Sequence, residues 1–182
     1  MKKMSEISGF SQEVLISQEQ LAAKVRELGE QITKDYEGQE LLLVGILRGS
    51  VPFMADLMRC IDLNVTIDFM CVSSYGSSTK TSGVVKIVKD LDTEIAGKNV
   101  LIVEDIIDSG LTLAYLKKYL SGKHPKSLKI CSILDKPSRR KVDIKGDYIG
   151  FEVEDKYIVG YGLDMDQRYR NLPYISWIKE TE

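Results

Sequence analysis

The sequence predicts an α/β fold with a mostly parallel central sheet flanked by helices. Apolar runs of strand length recur along the chain, amphipathic helical patterns stand between them, and no internal repeat or linker divides it. Runs such as Leu41 to Leu47 are apolar throughout, as expected of strands covered on both faces in a parallel sheet. With 182 residues, 43% of them hydrophobic, residues 1–182 have the size and apolar content of a single domain.

The elements follow in order. Ser17 and Gln20 have capping-box spacing, and Leu21, Val25, Leu28, Ile32 and Tyr36 then recur at helical intervals until Gly38. Leu41 to Leu47 predicts a buried strand, after which Arg48-Gly49-Ser50 turns into a helix whose first turn accommodates Pro52. Val65 to Val72 predicts a strand, and the polar, aperiodic stretch SSYGSSTKTSG predicts a long loop over about residues 73–83 before Val84 to Val88 resumes a strand pattern. Asn99 to Val103 predicts a buried strand that runs into Glu104-Asp105 and the turn Asp108-Ser109-Gly110. Leu113, Leu116 and Leu120 then mark a helix ending near Gly122. Leu128 to Leu134 predicts a further strand, and Tyr148 to Phe151, Tyr157 to Val159 and Tyr174 to Ile178 predict more β structure.

Charge and cysteine content narrow the function classes. Lys and Arg number 25 against 27 Asp and Glu, a net charge of −2, which gives no field for long nucleic acids. Arg139-Arg140-Lys141 is the one compact basic cluster and reads as a solvated loop beside Lys136. Cys60, Cys71 and Cys131 lie far apart among apolar neighbours, without C-x-x-C spacing, and read as buried free thiols of a reducing compartment. The segment MKKMSEISGF lacks an apolar signal region and no apolar run approaches the ~20 residues of a membrane helix, so the predicted location is cytoplasmic, with no membrane association. No G-x-x-x-x-G-K-[ST] occurs and no G-x-G-x-x-G follows a predicted strand, which removes the main support for ATPase and dinucleotide-enzyme readings.

A phosphate site is predicted at Val103 to Thr112. Ligands of open parallel sheets gather at the carboxyl ends of strands, and this segment leaves such an end and opens a helix. Backbone N–H groups from Asp108 to Thr112, the tight approach allowed at Gly110 and the hydroxyls of Ser109 and Thr112 together suit a phosphate dianion. The same residue types serve an ordinary helix cap. Glu104-Asp105 shift the balance, because two acids beside a phosphate repel it unless ribose hydroxyls or a hard metal ion stand between them.

The segment VEDIIDSGLT resembles the phosphoribosyl pyrophosphate signature of type I phosphoribosyltransferases. The likeness extends to LRGS at Leu47 to Ser50, SSYG at Ser73 to Gly76, LDKP at Leu134 to Pro137, DKYIVGYGLD and YRNLP, and covers about residues 10–178. It points within that family to the hypoxanthine-guanine enzymes. The resemblance implies the type I phosphoribosyltransferase fold, with a small hood built from the chain ends, a lid over about 73–83 and a base-binding hood segment over about 136–182.

It also implies roles. Glu104 and Asp105 hold the ribose hydroxyls and magnesium, and Asp108, Ser109, Gly110, Leu111 and Thr112 cradle the 5′-phosphate. Leu47, Arg48, Gly49 and Arg170 meet the pyrophosphate, and Asp164 touches a second magnesium. Ser74 and Tyr75 sit on the lid. Lys136 donates to the 6-oxo group of the purine, Tyr157 stacks on its ring, and Ile158 and Leu163 read the rest of its edge. Asp108 is the candidate general base, because a purine loses a proton as N9 attacks the anomeric carbon. The only histidine, His124, precedes Pro125 in a loop and is given no catalytic part. The activity implied is purine salvage with magnesium as cofactor: phosphoribosyl pyrophosphate and hypoxanthine or guanine give IMP or GMP and pyrophosphate. The enzyme is expected to be a homodimer or homotetramer. Two alternatives stand beside it, a transferase preferring xanthine and an RNA-binding regulator on the same fold.

Overall fold

The protein, described by a computed structural model over residues 10–74 and 85–180, contains nine strands and three α-helices among those residues. In chain order they are β1 (Phe10–Ile16), α1 (Gln18–Asp35), β2 (Leu41–Leu47), α2 (Val51–Cys60), β3 (Val65–Ser74), β4 (Val85–Lys89) and β5 (Asn99–Ile107). They continue with α3 (Leu111–Ser121), β6 (Ser127–Asp135), a short 3-10 turn (Pro137–Arg139), β7 (Tyr148–Glu152), β8 (Ile158–Val159) and β9 (Ile175–Glu180). The predicted capping box is present, with the Ser17 side chain accepting from Gln20 N–H and the Gln20 side chain from Ser17 N–H, and Pro52 lies in the first turn of α2.

A six-stranded sheet has the order β4-β3-β2-β5-β6-β7, parallel except for the β3–β4 pair. Successive side chains of a strand point to opposite faces, so each apolar run feeds two cores. Leu41 and Leu43 join Leu21, Val25 and Phe53 of α1 and α2 on one face. Leu42, Val44 and Ile46 join Leu113, Leu116 and Leu120 of α3 on the other. Leu43 and Leu101 have no exposed surface, and full burial of one such side chain contributes about 2 kcal/mol. A second, antiparallel sheet of order β1-β9-β8 forms the hood, so the two ends of the described chain pair with each other.

The sheet order places the site. From β2 the chain winds through α2 to β3 on one side, and from β5 it winds through α3 to β6 on the other, so winding reverses between β2 and β5. A crevice opens at the carboxyl ends of strands at such a switch point.

Several expectations change. β1 was not foreseen. β5 continues through Glu104 and Asp105 to Ile107, so the two acids stand on the strand and not in the turn beyond it, held there by pairing with β6 as far as Asp135. β7 belongs to the central sheet, which confines the C-terminal part of the hood to β8, β9 and the segment between them. Cys131 is buried, whereas Cys60 and Cys71 are only partly covered, because they sit at the end of a helix and near the end of a strand. Ser74 ends β3, while Tyr75, Val84 and most of the predicted lid lie outside the described residues. Among the described residues no helix is long and apolar enough to cross a membrane.

Candidate active site

The carboxyl ends of β2 and β5 enclose a crevice of about 260 Å3, lined by Leu47, Arg48 and Gly49 on one side and Glu104, Asp105, Asp108, Ser109, Gly110 and Thr112 on the other. Nine predicted site residues, from segments nearly sixty positions apart, thus meet around one space. A larger groove of about 580 Å3 lies between α1, α2 and Arg170–Pro173. Of the predicted residues it holds Arg170 alone, so volume does not locate the chemistry.

The acids are costly where they stand. Glu104 Oε2 is buried without a hydrogen-bond partner, and burial, then the neighbouring Asp105 charge, raise its carboxyl well above the usual range. Burial pushes Asp105 up to about 6, opposed by the Ile106 N–H, which donates to Oδ1 at 2.8 Å, and by the charge of Arg170. The carboxylate packs directly on the turn, since a Cβ at Gly49 would fall 1.6 Å from Asp105 Oδ2, so any larger residue there would push the carboxylate aside. The Leu47–Arg48 peptide bond beside it is cis.

The helix that faces the acids begins open. Gly110, with φ of +79°, is the N-cap of α3 and brings no capping side chain; the one side-chain contact to the first turn is Ser109 Oγ, which accepts from Leu111 N–H at 3.4 Å. Asp108, which has the residue type for capping, instead lies with Oδ1 3.2 Å from Arg139 Nε, outside hydrogen-bonding geometry. The backbone N–H groups at the start of α3 therefore carry the partial positive charge that attracts a dianion.

Arg140 holds this loop in place. Its Nη1 donates to the Asp108 carbonyl at 2.6 Å, its Nη2 pairs with Asp135 at the end of β6, and Lys141 N–H donates to the Ser109 carbonyl at 2.9 Å. The expectation of a solvated basic loop holds for the exposed Arg139 and Lys141 and is corrected for Arg140, which is largely buried with its charge matched by a carboxylate and a carbonyl.

A family model described as a phosphoribosyl transferase domain matches residues 11–166. The chain belongs to the phosphoribosyltransferase family. It is 56% identical over 168 residues to a hypoxanthine-guanine phosphoribosyltransferase of Bacillus subtilis, covering 92% of this chain and 93% of that one. It is 54% identical over 166 residues to a hypoxanthine phosphoribosyltransferase of Escherichia coli, covering 90% and 93%. A crystal structure of a hypoxanthine-guanine phosphoribosyltransferase from Bacillus anthracis superposes with a TM-score of 0.87 at 55% identity, over 91% of this chain and 97% of that one. The observed sheet and hood are those expected of the type I phosphoribosyltransferase fold.

In this phosphoribosyltransferase the hood residues stand outside the crevice lining but are tied to it. A Cβ at Gly162, where φ is +101°, would lie 1.8 Å from the Gly49 carbonyl, so the hood segment packs directly on the β2–α2 turn. Arg170 Nη1 donates to the Gly162 carbonyl at 2.7 Å, and Nη2 pairs with Asp164 at 2.7 Å. Asp164 therefore does not join Glu104 and Asp105. Among the described residues no group of three or more His, Cys, Asp or Glu is arranged to hold a metal ion.

Lys136 is buried, and its ammonium donates to the Lys156 carbonyl at 2.9 Å with Asp155 3.7 Å away. Tyr157 is 56% exposed, an open aromatic face where core packing would be ordinary, and Ile158 is buried beneath it in the hood. Leu163 N–H donates to the Gly160 carbonyl at 3.0 Å, so its backbone is already engaged in a turn. Sequence reasoning missed Arg140, Gly162 and Gln167. The Arg pair after Lys136 and the glycines of GYGLD were visible, but not their partners.

Proposed function

We propose that the chain transfers the 5-phosphoribosyl group from phosphoribosyl pyrophosphate to N9 of hypoxanthine or guanine, giving IMP or GMP and pyrophosphate. The observation that carries this reading is the pairing of two desolvated, mutually repelling carboxylates with a helix start whose N-cap is glycine, across one crevice. The names of the Bacillus subtilis and Escherichia coli relatives, a hypoxanthine-guanine and a hypoxanthine phosphoribosyltransferase, support the class of base.

In this reading the N–H groups of Asp108 to Thr112, including Ser109, Gly110 and Leu111, take the 5′-phosphate, and Glu104 and Asp105 accept the ribose hydroxyls. Leu47, Arg48 and Gly49, with Arg170 at the rim, meet the pyrophosphate. As the bond from the anomeric carbon to N9 forms, its bond to the pyrophosphate oxygen breaks. The leaving oxygen keeps the electron pair, and the purine proton passes to Asp108. The Lys136 ammonium can only donate, so it matches a 6-oxo group and leaves the 6-amino group of adenine without a complement. Tyr157 offers its exposed face to the ring, and backbone groups of Ile158 and Leu163 read the remaining edge. Ser74 and Tyr75 belong to the lid that excludes water.

Magnesium fits the donor set. It takes one or two carboxylates and fills its sphere with substrate oxygens and water, and Glu104 presents a buried oxygen that lacks a partner. Glu104 and Asp105 would hold it, whereas Asp164 would have to exchange Arg170 for a second ion. When bound, the ion neutralises charge that develops on the departing pyrophosphate.

The deciding experiment incubates the protein with phosphoribosyl pyrophosphate, magnesium and each of hypoxanthine, guanine, xanthine and adenine, and separates nucleotide products by chromatography. Hypoxanthine and guanine should be converted and adenine should not. Inertness toward every oxopurine defeats the reading, and a clear preference for xanthine replaces it with the closest alternative. The engagement of Arg139 and Arg140 with Asp108 and Asp135 counts against an RNA-binding surface. A cytoplasmic homodimer or homotetramer completes the reading, and light scattering measures the assembly.

A further inference from the structure

The tip of the hood carries a side chain at a position its backbone disfavours. Met165 and Arg168 exchange backbone hydrogen bonds of 3.2 and 3.0 Å, so Asp166 and Gln167 are the central residues of a tight turn. Their φ values are +52° and +65°. Two positive values mark the primed hairpin turn, in which glycine is the usual second residue because a Cβ there is strained. A glutamine in that place calls for a use of its side chain.

The contacts supply one. Gln167 Oε1 accepts from Arg48 Nη1 at 2.9 Å and from Arg170 Nη2 at 3.2 Å, and Gln167 N–H donates to Asp164 Oδ2 at 2.9 Å. One neutral oxygen thus gathers two guanidinium groups, one from the β2–α2 turn and one from the hood. The junction beneath is closely packed, since Gly162 rests on the Gly49 carbonyl, its N–H donates to the Arg170 carbonyl at 3.0 Å, and its own carbonyl accepts from Arg170 Nη1 at 2.7 Å. Asp164 balances Arg170, but the partner offered to Arg48 has no charge. A carboxylate there would hold the same geometry and cancel the field. An amide fixes direction and leaves the positive charge to a ligand.

We infer that Gln167 is a positioning residue for the pyrophosphate end of phosphoribosyl pyrophosphate, which aims Arg48 and Arg170 together while keeping their charge available. The inference rests on the proposed role of these arginines. Its physical content is preorganisation: the two donors of a polyanion site are ordered before the ligand arrives, which lowers the cost of binding.

The test compares wild type with Gln167→Gly, Gln167→Glu and Arg48→Ala. It uses calorimetric binding of pyrophosphate with magnesium, the KM for phosphoribosyl pyrophosphate and for hypoxanthine, and thermal melting. Gln167→Gly relieves the turn, so its Tm should hold or rise, while loss of a hydrogen bond to a charged group weakens pyrophosphate binding and raises the KM for phosphoribosyl pyrophosphate about tenfold. Gln167→Glu should weaken both at least as much, and the KM for hypoxanthine should stay in place. A merely structural glutamine would lower Tm and move all constants together, which overturns the inference. So does unchanged pyrophosphate binding in both Gln167 variants. If Arg48→Ala weakens binding in that case, the inference alone fails. If Arg48→Ala is also without effect, the pyrophosphate role of the turn fails with it.

Discussion

Asp105→Asn should make the free protein more stable while damaging its proposed chemistry. The carboxyl is lifted from its ordinary 3.8 to about 6, which corresponds to about 3 kcal/mol of disfavoured charge at neutral pH. Asparagine has nearly the same shape, still fits against Gly49, and can still accept from Ile106 N–H through Oδ1. It loses the attraction of Arg170, and the coupled Glu104 relaxes, so about 2 kcal/mol is the expected gain. For a chain of this size that is a rise in Tm of roughly 4–8 °C. A group whose folded pKa is raised costs nothing below its unfolded pKa. The penalty grows from about pH 4 to pH 6 and is complete above that. Melting curves of wild type and variant, recorded by circular dichroism with a chelator present at pH 4, 6 and 8, should coincide at pH 4 and separate by pH 8. Binding of phosphoribosyl pyrophosphate with magnesium should weaken at pH 8. A variant that melts no higher than wild type at pH 8, or a gap that widens toward acid, would refute the reasoning that burial strains this site.

Asp108→Ala should lower kcat by about 10²–10⁴-fold, the usual worth of a positioned acid or base, with little change in either KM; unaltered turnover in steady-state kinetics removes Asp108 from proton transfer. Gly49→Ala brings a methyl against the Asp105 carboxylate and should cost about 1–3 kcal/mol in urea unfolding, with a large rise in the KM for phosphoribosyl pyrophosphate. Asp68, away from the site, is buried in β3. Burial alone would raise its carboxyl, but N–H groups of Thr93 and Phe69 and the Lys89 charge outweigh it and hold the group below the usual range. Asp68→Asn should therefore lose about 2 kcal/mol at pH 7, a difference that shrinks as pH falls through the depressed pKa and the wild-type carboxylate protonates.

The central sheet was legible because its signals are local. Leu41–Leu47 is apolar at every position since both faces are covered, and β2 spans those residues and no others. The phosphate loop was legible for the same reason: strand, acids, turn and helix lie within a dozen residues. β1 escaped because a short edge strand of the hood is defined by its partner β9, some 160 residues away, and FSQEVLI carries no pattern that announces such a pairing. The strand end at β5 escaped because Glu104 and Asp105 look like turn residues, and only pairing with β6 keeps them extended.

The contacts that make the site were not legible, because they join segments whose neighbourhood exists only after folding. Arg140 reads as surface charge until Asp135 and the Asp108 carbonyl are placed beside it. Gly49 and Gly162 read as turn residues, yet their use is in how closely Asp105 and the Gly49 carbonyl approach them. What the sequence does carry is a set of local misfits. A helix start optimised for stability would have Ser or Asp at position 110, and the turn at 167 would have glycine. A buried strand end would not carry adjacent acids at 104 and 105. Proteins tolerate such departures mainly where function requires them. Here the first and last fall on the crevice between β2 and β5, and the glutamine bonds Arg48, which lines that crevice, together with Arg170, so the local misfits converge on one region although nothing in their sequence positions relates them.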